Sequence, residues 1–208
     1  QAVLAHNLSQ LLPGELNITT LSVSGAEANE AAIKLVTKAK KDRRKKFIIR
    51  MEGAYHGKTH GALSLTDSEG FSDGFLVGIP KENILTIPHG DLSAFKNIIS
   101  DHTYSDSNND IIAIFIEPIG GQDLQVTPEN FLSDMCQLSK DNDIFTVFDE
   151  IKIGMGRSGN ENLFCFEKES AIPDVLTISK ALGGGKRAIG AMVTSNKLFK
   201  LAYGSVDT

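Results

Sequence analysis

The sequence predicts an α/β fold of three layers (α/β/α), with helices on both faces of a mainly parallel central sheet. Three observations predict it. Short β-rich apolar runs alternate with helical patterns almost from the first residue, which is the signature of βαβ units. One run, Ile111 to Ile116, is apolar at every position rather than at every second one, so both its faces must be covered, as in a central strand of a parallel sheet. The balance of 41% hydrophobic and 23% charged residues over 208 positions is that of a globular chain with one large core or two small ones.

Taken in order, the candidate strands are Leu16 to Val23, Phe47 to Met51, Ile84 to Ile87, Ile111 to Ile116, Ile144 to Phe148, Val175 to Ile178 and Ala188 to Val193. Between the first two, Ala28, Ala32, Leu35, Val36 and Ala39 repeat at helical spacing, and their helix runs out into the basic stretch Lys38 to Lys46. Cations there complement the negative end of the helix dipole, so a solvated helix end explains them better than nucleic acid does. Further helices are expected at Leu92 to Ser100 and at Glu129 to Lys140, the second opened by Thr127 as N-cap and Pro128 at the first helical position. Asp101 to Asp110 is polar and reads as a surface loop.

Composition excludes several classes. With 21 Lys+Arg against 26 Asp+Glu, the net charge of −5 carries no nucleic-acid footprint. Cys136 and Cys165 are too few for a disulfide scaffold and lack zinc or redox spacing; both read as packing residues in a reducing compartment. His6, His60, His89 and His102 show no metal spacing. No apolar run approaches a membrane span, and the first ten residues lack the form of a signal peptide, so the chain is expected to be soluble and cytoplasmic.

Four segments could carry chemistry. In Ser22 to Glu30 an apolar strand ends in a small turn holding Gly25 and leads straight into a helix; this is either an anion site of backbone N–H groups or a plain turn capped by Ser24. Ile144 to Glu150 delivers adjacent acids, Asp149 and Glu150, at a strand's carboxyl end, where α/β sheets bind ligands. One acid can face a ligand, with a protonated ring nitrogen as its cationic partner, while its neighbour faces structure; a purely structural acid is the other reading. Gly154 to Gly159 satisfies the spacing G-x-G-x-x-G, yet no periodic helix follows and Asp174 begins a strand instead of ending one, which counts against a dinucleotide site. Gly183-Gly184-Gly185-Lys186-Arg187 has no Ser or Thr for magnesium and fails as a phosphate loop. Finally, Lys180 at a strand's mouth before this glycine run is a candidate for Schiff-base chemistry, although most lysines are merely solvated.

In this order, the segments Ser24 to Glu30, Tyr55-His56-Gly57, Glu117-Pro118, Asp149-Glu150 through Gly159, Pro173-Asp174 and Ser179 to Gly185 resemble the class III (omega) pyridoxal-phosphate aminotransferases. The resemblance implies a fold-type I large domain whose cofactor is pyridoxal 5'-phosphate, and transamination from an amino acid or ω-amine to a keto acid or aldehyde. It implies that Lys180 forms the Schiff base and shuttles a proton, and that Asp149 pairs with the pyridinium nitrogen. Ser24, Gly25 and Ala26 would surround the phosphate, Tyr55 would stack on the ring with His56 beside it, and Ile151 would pack the opposite face. Glu117 would manage the substrate carboxylate or the arginine that binds it.

Two positions depart from the family pattern. Lys152 stands where members usually have Gln reaching the ring hydroxyl oxygen, and Arg187 where they tend to have Pro. Members are longer and usually homodimeric, so residues 1–208 are expected to be the cofactor-binding large domain without an N-terminal segment and a C-terminal small domain. A non-catalytic domain that keeps the fold for assembly remains the alternative from another class, and a nicotinamide-binding domain a third.

Overall fold

The computed structural model describes residues 1–40, 42, 44–106, 108–159 and 161–204. The elements in chain order are α1 (Ala2–Leu11), β1 (Ile18–Ser22), α2 (Gly25–Ala39), β2 (Phe47–Met51), α3 (His60–Leu65), α4 (Glu69–Ser72), β3 (Ile84–Ile87), α5 (Leu92–Asp101), β4 (Ile111–Ile116), α6 (Phe131–Asp141), β5 (Phe145–Asp149), β6 (Val175–Ile178), β7 (Gly190–Thr194) and α7 (Asn196–Tyr203). Among the described residues the strands form one sheet of order β1-β7-β6-β5-β4-β2-β3. The pairs from β6 to β3 are parallel, and β7 is antiparallel to both its neighbours.

Two apolar clusters, one on each face of the sheet, make the three layers. Leu8 of α1, Phe95 of α5 and Leu132 and Met135 of α6 pack with Ile114, Ile116 and Phe148 on one face. Ala32, Leu35 and Val36 of α2 and Leu198 of α7 pack with Ala113, Phe115 and Val147 on the other. The continuous apolar run of β4 has its reason here, since its residues 111–116 are all buried. Its alternation breaks once: Phe47 pairs with Ile111 and Ile48 with Ala113, so Ile112 is an extra residue that lands on the same face as Ala113.

Helix α2 starts where Ser24, in extended backbone, accepts from the Glu27 amide at 3.2 Å, while Glu27 Oε2 accepts from Ser24 Oγ at 3.1 Å and from the Val23 amide at 3.0 Å. The predicted stripe Ala28, Ala32, Leu35, Val36 and Ala39 is its buried face. In the basic stretch beyond it, Lys40 Nζ lies 2.6 Å from Asp143 Oδ1 and over the Phe145 ring, Arg44 pairs with Asp42 and Asp106, and Lys45 donates to Asn109. Lys41 and Arg43 of that stretch lie outside the described residues.

Several expectations need correction. Helix α6 begins at Phe131, after Asn130 in left-handed backbone (φ 62°), and not at Thr127-Pro128. Thr127 instead donates its hydroxyl to the Pro118 carbonyl, which ties it to the loop after β4. The polar segment 101–110 is a surface loop only in part: Asn109 and Asp110 are buried, with Asp110 accepting from Tyr104 Oη and pairing with His102 at 2.8 Å; Ser107 lies outside the described residues. The last strand begins at Gly190 instead of Ala188. Helices α1, α3, α4 and α7 carry no strong sequence signal. α1 has no capping side chain at its start and only Leu8 fully buried, so its helicity comes from docking. No helix among the described residues is long and apolar enough to cross a membrane.

Ile114 is wholly buried in the middle of the sheet. Ile114→Ala is expected to lower the unfolding free energy by about 2–5 kcal/mol. Val3→Ala, at an exposed position on α1, is expected to change it by less than about 0.5 kcal/mol. Urea unfolding of the two variants measures both.

Candidate functional site

The carboxyl ends of β4, β5 and β6 and the first turn of α2 enclose a cavity of about 290 Å³. That lies at the small end of ligand sites, which run from about 300 to 1,000 Å³. Its wall holds Gly25, Ala26, Tyr55, His56, Glu117, Asp149, Ile151, Lys152 and Lys180, which are the predicted site residues with the exception of Ser24. Ser24 stands just outside as the N-cap, so the capping reading holds for it. Gly57 and Ser179, which fall in the motif segments but were given no role, also line the cavity, as do Lys58 and Gly121, which escaped the sequence reading.

Alternation along β5 decides what each acid does. Val147 faces α2 and Phe148 the opposite layer, so Asp149 returns to the α2 side and Glu150 does not. Glu150 turns into structure and accepts from the amides of Cys165 and Phe166 at 2.9 and 3.0 Å. Asp149 is only 4% exposed. Its Oδ2 lies 2.7 Å from Asn29 Nδ2 and 2.8 Å from His56 Nδ1, and its Oδ1 accepts from the Ile151 amide at 3.0 Å. A carboxylate cannot donate, so His56 carries its proton on Nδ1. Burial pulls the imidazole down, but the bond to Asp149 and the charges of Asp149 and Glu117 outweigh it, and the net shift is upward.

Lys180 stands two residues beyond the end of β6, after Ser179, in left-handed backbone with φ 45°. For a residue with a Cβ this conformation costs on the order of 1–3 kcal/mol and persists only where the surroundings impose it. Burial is the main cause that lowers its amine pKa; Arg157 and Lys152 push the same way, against the attraction of Asp149 and Glu117. A larger share of neutral amine is what a nucleophilic lysine needs. Lys152 donates to the Gly121 carbonyl at 2.6 Å. Tyr55 has its ring edge-on to Phe71 with centroids 5.8 Å apart, and its amide donates to Glu117 Oε2 at 2.8 Å.

Burial raises the Glu117 carboxyl to about 7; the charge of Asp149 pushes the same way, while His56 and the amides of Tyr55 and Gly121 oppose it. The amides of Gly25 and Ala26, also on the cavity lining, belong to the first helical turn, where backbone N–H groups have no intrahelical acceptor. A Cβ on Gly25 would come within 2.8 Å of Ile151 Cδ1, so only glycine lets the helix start lie against that side chain. Gly57 has φ 130° and would meet Ala26 Cβ at 2.6 Å, which is how the loop after Tyr55 closes onto α2.

Sequence reasoning missed Asn29 and Thr177. Asn29 was visible as a polar residue beside Ala28 on the apolar stripe of α2, a position that demands partners. The glycine pattern 154–159 runs through turns into a single 3₁₀ turn, Cys165–Glu169, and opens no helix, as a dinucleotide fingerprint must. Cys136 and Cys165 are half-buried free thiols that burial pushes up to about 12 and about 11, as packing residues require.

The fold and this cavity define a class. The chain matches the aminotransferase class-III family over residues 1–205 and belongs to that family. Its structure is similar to a transaminase from the marine bacterium Virgibacillus, at 25% identity and a TM-score of 0.85 over 96% of this chain and 46% of that one. A thermostable (S)-enantioselective omega-transaminase from Thermomicrobium roseum superimposes with a TM-score of 0.87 at 23% identity, over 99% and 49% of the two chains. The ornithine aminotransferase of Toxoplasma gondii, whose structure shows partial occupancy of pyridoxal phosphate at the active site, gives 0.84 at 22% identity, over 96% and 45%. The chain thus spans about half the length of the solved relatives it matches.

Pyridoxal phosphate is the cofactor of class III aminotransferases, and the cavity has the groups it needs. An amine, a buried carboxylate and first-turn helix amides line one cavity, and the close contact of Gly25 with Ile151 leaves those amides uncovered by any side chain at position 25.

Two predictions follow from this geometry. Glycine accepts left-handed backbone freely, so Lys180→Gly is expected to be more stable than Lys180→Ala by about 1 kcal/mol in urea unfolding. Burial raises the Glu150 carboxyl from 4.5 to about 7. The unfolded chain loses that proton near 4.5 and the folded chain near 7, so the stability it contributes is full below 4.5 and lost as pH rises through 7. Glu150→Gln is expected to flatten the fall in unfolding free energy across that window by on the order of 1–3 kcal/mol, read from urea midpoints at a series of pH values.

Proposed function

We propose that this chain is the cofactor-binding large domain of a pyridoxal-phosphate-dependent aminotransferase, which moves an amino group from an amino acid or ω-amine to a keto acid or aldehyde. The observation that carries this reading is that the Lys180 amine and the Asp149 carboxylate line one cavity closed by the start of α2. When bound, the cofactor supplies an aldehyde that condenses with amines and a ring that accepts the electron pair of a bond broken beside the nitrogen.

The residues would divide the work as follows. The Gly25 and Ala26 amides, with Ser24 fixing the turn, hold the phosphate. Asp149 would offer Oδ1 to the protonated ring nitrogen, while Asn29 Nδ2 and His56 Nδ1 occupy Oδ2. Lys180, whose amine burial shifts toward the neutral form, would take a proton from the substrate carbon at Nζ and return it. Tyr55 and Ile151 would confine the ring, His56 stands behind Asp149, and Lys152, which donates to the Gly121 carbonyl, would also donate to the ring hydroxyl oxygen in place of the usual Gln. Glu117 faces the substrate carboxylate or the arginine that binds it. The whole protein is proposed to act as a cytoplasmic homodimer.

Adding pyridoxal phosphate is expected to give a visible absorption band that Lys180→Ala abolishes, and borohydride reduction is expected to fix the cofactor on the peptide that contains Lys180. A colourless protein with saturating cofactor, or a label on another lysine, overturns the reading.

A further inference from the structure

Asn29 sits in the second turn of α2, fully buried, and neither it nor Thr177 lines the cavity. Its Nδ2 lies 2.7 Å from the His56 carbonyl oxygen and 2.7 Å from Asp149 Oδ2. Both are acceptors only, so the nitrogen end of the amide must face them and both of its hydrogens are used. The oxygen end then faces β6, where it lies 2.8 Å from Thr177 Oγ1, and the hydroxyl must donate. Thr177 is the direct neighbour of Asp149 across the β5–β6 ladder. The direction of every hydrogen bond in the relay is therefore set by chemistry: hydroxyl to amide, amide to carboxylate.

The consequence falls on Asp149. Oδ2 receives Asn29 Nδ2 and His56 Nδ1, and Oδ1 receives the Ile151 amide, which leaves Oδ1 capacity for one more donor. Asn29 governs both donors on Oδ2, because it also pins the His56 backbone at its carbonyl. A neutral amide suits the place: a lysine or arginine there would form an ion pair with Asp149 and weaken its hold on a cationic ring nitrogen.

We propose that Asn29 and Thr177 are positioning residues: the Thr177 hydroxyl fixes the direction of the Asn29 amide, which locks Asp149 so that Oδ1 is the oxygen offered to the cofactor's ring nitrogen. This rests on the cofactor reading above and adds two residues that act only through Asp149.

The test compares binding of pyridoxal phosphate with binding of its 1-deaza analogue, whose ring has C–H in place of nitrogen, by equilibrium dialysis on protein shown to be folded by circular dichroism. The wild-type chain is expected to prefer pyridoxal phosphate. Thr177→Val, which keeps the shape and removes the hydroxyl, and Asn29→Leu are expected to lose roughly tenfold of that preference (about 1.4 kcal/mol) while binding the analogue as before. Thr177→Ser is expected to keep it. If Thr177→Val leaves the preference intact, or weakens both molecules in parallel, the two residues are structural and the inference falls alone. If the wild type binds neither molecule, the cofactor reading falls and the inference with it.

Discussion

Asp149 is an ionisable group at the end of a strand inside a sheet whose neighbouring positions are almost all carbon. Removing a carboxylate from water costs several kcal/mol unless hydrogen bonds replace the lost hydration. Here the replacement comes from three directions: Asn29 on α2, His56 on the loop after β2, and the amide of Ile151 in the turn that follows the strand. The apolar stripe presses α2 onto the sheet, but the carboxylate fixes its register there, because Asn29 meets Asp149 and Thr177 together at only one setting of the helix. The loop at His56 is bound by the same need, and Thr66 completes it by accepting from the amides of His56 and Gly57.

The cavity that results is one where burial drives opposite charges toward neutrality. It lowers the Lys180 amine and raises the Glu117 carboxyl to about 7. A carboxyl at about 7 exchanges protons readily near neutral pH, and a lowered amine is a better nucleophile and base than a free lysine. The left-handed backbone of Lys180 belongs to this arrangement: strand β6 ends in a sharp turn there, and the amine enters the cavity wall instead of continuing along the sheet.

Much of this architecture was legible in the chain. Strands β2, β3, β4 and β6 fall where the apolar runs place them, because a buried parallel strand leaves a signature in its own residues. The order of motifs brought nine of ten named residues to one cavity. What could not be read were features set by partners elsewhere. Thr127-Pro128 has the form of a helix start, yet Thr127 is taken by the Pro118 carbonyl and the helix waits for Asn130. Asp110 looks like loop and is buried because His102 and Tyr104 satisfy it.

The sequence by itself determined the layers, the strand positions and the types of chemical group available, since these depend on local periodicity and on residue identity. Only the tertiary structure decided which groups act together. The Asn29 side chain bonds to residues 27, 120 and 148 positions away, and no local pattern encodes contacts across such separations. They exist because the helix and the strands around Asp149 must supply its hydrogen bonds at once, and that condition is met only when the whole sheet is assembled.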